Sequence, residues 1–231
     1  MNAALDEGAV EVDVVRVFTT ESGEHGNELG IVRNSLATAG REQAITAELG
    51  FSESVFIDTV AAGVAKLRIF TPARELPFAG HPSVGTAWWL ADQGSPVTAL
   101  AERAGDVAVQ YDGPITWITG RAEWAPEFDW VELGSAAEVD ELSAAEVTSG
   151  QKYFYAWTDR DTGSIRSRMF APAMGVAEDQ ATGAAAVALT ARLGIDLDIT
   201  QGVGCRLFTR VLPDGFVRVG GYTAFDRTLT V

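Results

Sequence analysis

Hydrophobic and polar positions follow two periods along this chain, and each change of period marks an element. Val12 to Phe18 is a β-branched run that reads as a strand. The polar stretch Thr19 to Gly26 reads as a loop. Asn27 then stands as a helix N-cap, Leu29, Ile31, Val32 and Leu36 recur at helical spacing, and Gly40 ends the helix. A second helix is predicted from about Arg41 to Leu49, closed by Gly50. Ser54 to Ile57 and Lys66 to Thr71 read as strands about the turn Ala62-Gly63, and a helix with Pro82 in its first turn runs to Gly94. Asp106 to Tyr111 and Ile115 to Thr119 alternate on either side of Asp112-Gly113, a hairpin signal. Arg121 to Gly150 is acidic, rich in alanine and weakly periodic, and reads as a connection with a short helix around Ala136 to Leu142. Strands at Tyr153 to Thr158 and Ile165 to Phe170 follow, then a helix from Thr182 to Leu193 closed by Gly194. Arg206 to Leu212 and Phe216 to Val219 form a hairpin about Pro213-Asp214-Gly215.

One device occurs twice in this pattern. Ile69-Phe70-Thr71-Pro72 and Met169-Phe170-Ala171-Pro172 each end a strand in Phe-x-Pro, followed by a loop and a polar-glycine turn that opens a small-residue helix. The first turn carries His81 and the second Asp179. Both halves thus place strands around one principal helix, which predicts an α+β fold of two similar lobes with a cleft between them. The expected division is 1–105 and 106–231, with a C-terminal strand able to return to the first lobe.

The first N–H groups of a helix lack intrahelical partners and carry the positive end of its dipole, so a carboxylate is a natural ligand there. Gly80 and Gly85 in one turn, and Thr182, Gly183 and Ala184 in the other, keep both helix starts open. Helix packing alone also selects such small residues, so both readings stand for either segment taken singly. His81 suits proton transfer near neutral pH, or a structural hydrogen bond. Asp179 is a proton-active group or an N-cap. Glu53, between Phe51 and Val55, is a solvated acid at a strand entrance, or a usable acid or base if a closed cleft desolvates it.

Composition narrows the chemistry. The 231 residues suffice for one large or two small cores, and a net charge of −15 argues against nucleic acid as a partner. It leaves room for a small anionic metabolite, because backbone dipoles bind anions locally. The single cysteine, Cys205, sits in an apolar run and reads as a buried structural thiol. With only His25 and His81, no cluster has zinc spacing, and there is no Walker motif, nucleophile elbow or dinucleotide fingerprint. The acidic N-terminus is unlike a signal peptide and no apolar run reaches membrane-spanning length, so the expected location is cytoplasmic, without a membrane partner.

Leu67 to Pro72, Glu75 to Pro82 and Gly85-Thr86-Ala87, with Arg168 to Pro172 and Glu178 to Gly183, resemble the signature of the phenazine-biosynthesis-like (PhzF-like) isomerases. Val15 to Phe18 with Gly26-Asn27, Ser52 to Phe56, and Val217 to Gly221 match the remaining landmarks in order. The resemblance implies a diaminopimelate-epimerase-like fold, two pseudo-symmetric lobes each wrapping a barrel-like, mostly antiparallel sheet around a central helix. It implies a homodimeric isomerase with no cofactor and no metal. The family's proton-carrying glutamate, its histidine and its aspartate fall on Glu53, His81 and Asp179. Asn27, Gly80, Ser83, Gly85, Thr182, Gly183 and Ala184 are the expected substrate-binding positions. The chain departs from the pattern at Ala184, where the family often has serine, at Glu28 in place of a proline, and in a short acidic stretch between Gly120 and Tyr153. Shortening and Ala184 motivate a second reading, a metabolite-binding or scaffold protein that has lost catalysis. A cysteine-dependent racemase is a third, although no cysteine stands at either helix start.

Overall fold

The computed structural model describes residues 9–172 and 175–231. The acidic start at Asp6 and Glu7, and Ala173 and Met174 within the second copy of the repeated device, lie outside the described residues.

The first half lays down β1 (Glu11–Thr19), β2 (His25–Arg33), the helix α1 (Glu42–Leu49), β3 (Glu53–Ala61), β4 (Val64–Phe70) and the short β5 (Glu75–Leu76). The helix α2 (Gly80–Asp92) follows, then β6 (Ala99–Glu102), β7 (Gly105–Asp112) and β8 (Ile115–Arg121). The second half adds β9 (Asp129–Glu132), α3 (Ala136–Asp140), β10 (Lys152–Asp159), β11 (Ser164–Ala171), β12 (Val176–Asp179) and the helix α4 (Gly183–Leu193). It ends with β13 (Leu197–Gln201), β14 (Cys205–Val211) and the long β15 (Phe216–Thr230).

Strands β1, β2, β3, β4, β6, β7 and β8 pair in that order, and β15 closes the ring by pairing β8 and β1. A second sheet continues from β15 through β14, β13, β11 and β10 to an edge at β9. The first ring uses β7, β8 and β15, and the expected 105/106 division falls between the first two residues of β7. Each sheet wraps a helix that is apolar on nearly every side. Val84, Ala87 and Leu90 of α2 are fully buried, as are Ala185, Val187 and Leu189 of α4. A helix with no polar face needs protein all round it.

The register shows how closely one half repeats the other. In β4 the Arg68 guanidinium lies 4.9 Å from the Phe70 ring centroid and forks onto Glu75 at 2.9 and 3.0 Å. In β11 Arg168 lies 4.9 Å over Phe170 and forks onto Glu178 at 2.8 and 2.7 Å. Phe56 meets Phe70 edge-on, and Phe154 meets Phe170 in the same manner.

Two expectations are corrected. The helix predicted from Asn27 to Gly40 is a strand, β2, flanked by β1 and a parallel β3. Leu29 and Ile31 belong to the main core, while Val32 faces a smaller core under α1 with Ile45 and Phe56. A strand buried on both faces loses its alternation and imitates helical spacing over a short run. Leu36, counted into that stripe, is fully exposed. In the acidic connection, the short helix appears as α3, but Asp129–Glu132 forms the edge strand β9, paired with β10. Four residues between charged ends carry too little alternation to read as a strand.

Candidate active site

The two principal helices meet at their N-termini. A Cβ at Gly80 would come within 2.8 Å of the Gly183 backbone, and one at Gly183 within 2.7 Å of Gly80 and of His81. Only paired glycines allow this approach. Neither helix start is capped by its own side chain, so the first N–H groups stay available near the junction. Thr182, which stands at the N-cap of α4, turns its hydroxyl to Asp179 instead.

Beside this junction Asn27, Glu53, His81 and Asp179 converge from β2, β3, α2 and β12. Glu53 Oε2 is 3.1 Å from His81 Nδ1. On the far side of the ring, Nε2 lies 3.2 Å from the Asn27 carbonyl oxygen. A carbonyl only accepts, so Nε2 carries a proton. The contact at Nδ1 then requires a second proton, shared between imidazole and carboxyl. The ring is buried, and Phe18 stands 6.4 Å from it, centroid to centroid. Phe18 itself has φ of 64°, in the left-handed region, where β1 slips register against β15. Such backbone cost tends to collect at functional sites.

Asp179 is buried and accepts at both oxygens, from Asn27 Nδ2 at 2.6 Å and from Thr182 Oγ1 at 2.6 Å. Burial, and then the nearby Glu53, push its carboxyl up to about 6, against the opposing pull of His81 and the two hydrogen bonds. Gln201 on β13, also buried, grips this turn. Its Nε2 donates to the Asp179 carbonyl and to Thr182 Oγ1, both at 2.9 Å, and its Oε1 accepts from the Thr182 N–H at 3.2 Å. Tyr153 donates to the same Oε1 at 3.2 Å and lies 2.9 Å from Ser167 Oγ.

Glu53 and Asp179 open on a narrow cleft of about 50 Å³. Leu76, Phe78, Phe128, Met169 and Val176 make its walls largely apolar, and Ala184 and Thr182 bring the α4 start into it. Among the described residues its lining contains neither lysine nor arginine. Ser83 and Gly85 lie elsewhere. Ser83 Oγ contacts the Ala79 carbonyl at 2.7 Å and Glu102 Oε1 at 2.6 Å, and Gly85 backs onto Leu29 and Val17. Cys205 is buried in β14, and burial pushes its thiol up to about 12. His25 is exposed and packs beside Gly204. Gln201 and Gln151, which also lines the cleft, went unnoticed in the sequence, where a lone glutamine near a strand end carries no signal.

A family model described as phenazine biosynthesis-like protein, PhzC-PhzF, matches residues 15–159 and 137–211. The trans-2,3-dihydro-3-hydroxyanthranilate isomerase of Pseudomonas aeruginosa is 31% identical over 239 residues, covering 82% of this chain and 84% of that protein. The enzyme of the same name from Pseudomonas fluorescens is 32% identical over 206 residues, covering 70% and 74%. Among solved structures, a PhzF-family protein of Bacillus anthracis superposes with a TM-score of 0.78 at 18% identity, over 96% of this chain and 99% of that one. A hydroxyproline epimerase of Agrobacterium vitis gives 0.62 at 11% identity, over 97% and 92%, which shows the shared fold. The repeated sheet wrapped around a helix, the abutting helix starts and these relatives agree: the chain belongs to the phenazine biosynthesis-like, PhzF-like family of isomerases.

Proposed function

We propose that this chain is a cofactor-independent isomerase that moves a proton within a small carboxylate-bearing metabolite, with Glu53 as the proton carrier. The observation that carries this reading is the Glu53–His81 contact, which holds one transferable proton at the edge of an apolar cleft. With that proton on His81, Glu53 is a carboxylate able to take a C–H proton from the substrate. The electron pair of the broken bond moves into the adjoining unsaturated system, and Glu53 returns the proton at another carbon. His81 stabilises the carboxylate between the two transfers, and Asp179 with Asn27 holds the polar end of the substrate. The N–H groups at the starts of α2 and α4 take its carboxylate. The named relatives supply the first substrate to try, trans-2,3-dihydro-3-hydroxyanthranilate. We place the enzyme in the cytoplasm as a homodimer; no described helix is long and apolar enough to cross a membrane.

Convergence of three proton-active groups on one cleft favours catalysis over a binding-only protein, and the cleft contains no thiol for a cysteine-dependent racemase. The test is turnover of this compound in heavy water, followed by NMR. Glu53→Gln is expected to fold normally and to lose at least about a hundredfold in kcat. Undiminished turnover in that variant sinks the assignment of Glu53.

A further inference from the structure

The doubled architecture places a second residue in the frame that holds Glu53. Phe56 pairs with Arg68 across β3 and β4, and Phe154 pairs with Arg168 across β10 and β11. The two arginines, their forked glutamates and their stacked phenylalanines make these positions equivalent. Three residues before Phe56 stands Glu53, and three before Phe154 stands Gln151. The strands alongside agree, since parallel β2 meets β3 as parallel β9 meets β10. Glu53 and Gln151 line the same cleft.

Gln151 is equipped to bind. Its backbone carbonyl accepts from the Asp129 N–H at 2.8 Å, which anchors the residue at the root of β9. No described residue hydrogen-bonds its carboxamide. Among the described residues that line the cleft, Gln151 is the one whose side chain brings N–H groups. A cleft with two carboxyl groups and no lysine or arginine in its lining has few ways to hold an anion, and a neutral amide donor is one of them.

We infer that Gln151 is the substrate-binding counterpart of Glu53, donating its amide N–H to a carboxylate oxygen of the substrate across the cleft. The inference rests on the isomerase reading above and extends it to a second wall. An amide at this position holds the substrate without ionising, so the two mirrored strand starts are divided between moving protons and binding. An acid there would repel the anion the cleft receives.

The test uses two probes. Binding of 3-hydroxyanthranilate, an aromatic analogue, is measured by calorimetry, and turnover uses trans-2,3-dihydro-3-hydroxyanthranilate. Gln151→Leu is expected to weaken binding and raise KM by about tenfold, with kcat and melting temperature close to wild type. Gln151→Glu is expected to bind poorly at pH 8 and to recover towards pH 4.5, as the new carboxyl takes up a proton and becomes a donor. Glu53→Gln is expected to bind the analogue normally while losing turnover. Wild-type affinity and KM in Gln151→Leu overturn the inference. Binding that depends on Gln151 without any turnover keeps it and overturns the isomerase reading. Turnover with Gln151→Leu unimpaired does the reverse.

Discussion

Asp179 accepts hydrogen bonds at both oxygens while shut away from water, and its behaviour with pH follows from that. Burial raises its carboxyl from 3.8 to about 6. As pH rises through this window the unfolded chain releases the proton first, so the folded state loses stability between about pH 4 and 6. Below about 6 a proton on Asp179 displaces one of its two donors, and kcat/KM is expected to fall on that side. Thr182→Val removes a donor that favours the charged form. It is expected to move the acid limb of the pH–rate profile upward by about one unit. An unmoved limb separates that limb from Asp179. Glu102 behaves differently. Its Oε2 is buried without a partner, and burial pushes the carboxyl up to about 8. Ser83 has one proton for two neighbouring acceptors, so meeting both contacts requires Glu102 to be a carboxylic acid that donates. By register Glu102 occupies the place of Gln201, one residue past Ala101 beside Lys66 as Gln201 is past Thr200 beside Arg166. The unfolded chain ionises from about pH 4.5 while the fold keeps its proton to about pH 8, so Glu102 costs stability as pH rises. Glu102→Gln is expected to leave stability at pH 4 nearly unchanged and to raise it by about 4 kcal/mol at pH 8, read from denaturant midpoints. At this scale Glu53, His81 and Asp179 were legible because acids and a histidine advertise their chemistry. The glutamines were not, since their meaning comes from strand pairings between distant residues.

Among the elements, the junction of α2 and α4 depends on two absent side chains. Gly183→Ala puts a methyl group against the Gly80 backbone, which has no rotamer to escape into. The variant is expected to lose about 1–3 kcal/mol of stability and most of its turnover, measured by urea unfolding and by the NMR assay. Retained turnover with lowered stability would show that the spacing of the helix starts tolerates a shift. Both helices are legible because Gly-His-Pro and Thr-Gly punctuate their starts, and the closing glycines mark the ends of α1 and α4 to within a residue. Strand β2 imitates a helix because Leu29, Ile31 and Val32 serve two cores at once. The helix-cap role expected of Asn27 fails, because it stands in a strand, but its amide does reach the site, at Asp179.

Across the whole molecule, the doubled Phe-x-Pro device was readable as a doubled fold, and two lobes around two helices followed from it. Less of the closure was readable. Phe216 to Gly221 of β15 pairs with β8, and Tyr222 to Thr230 pairs with β1. One strand therefore completes the first ring and begins the second sheet, so the lobes share a seam of backbone hydrogen bonds. This has a consequence for how the protein is made. Seven strands of the first barrel have left the ribosome once residue 121 has emerged, yet the eighth comes only with residues 216 to 230. Until then β1 and β8 are bare edges beside a nascent apolar helix, open to mispairing with other chains. The first half made is among the last to finish, and it can close only after the polypeptide that will form the second half has been synthesised.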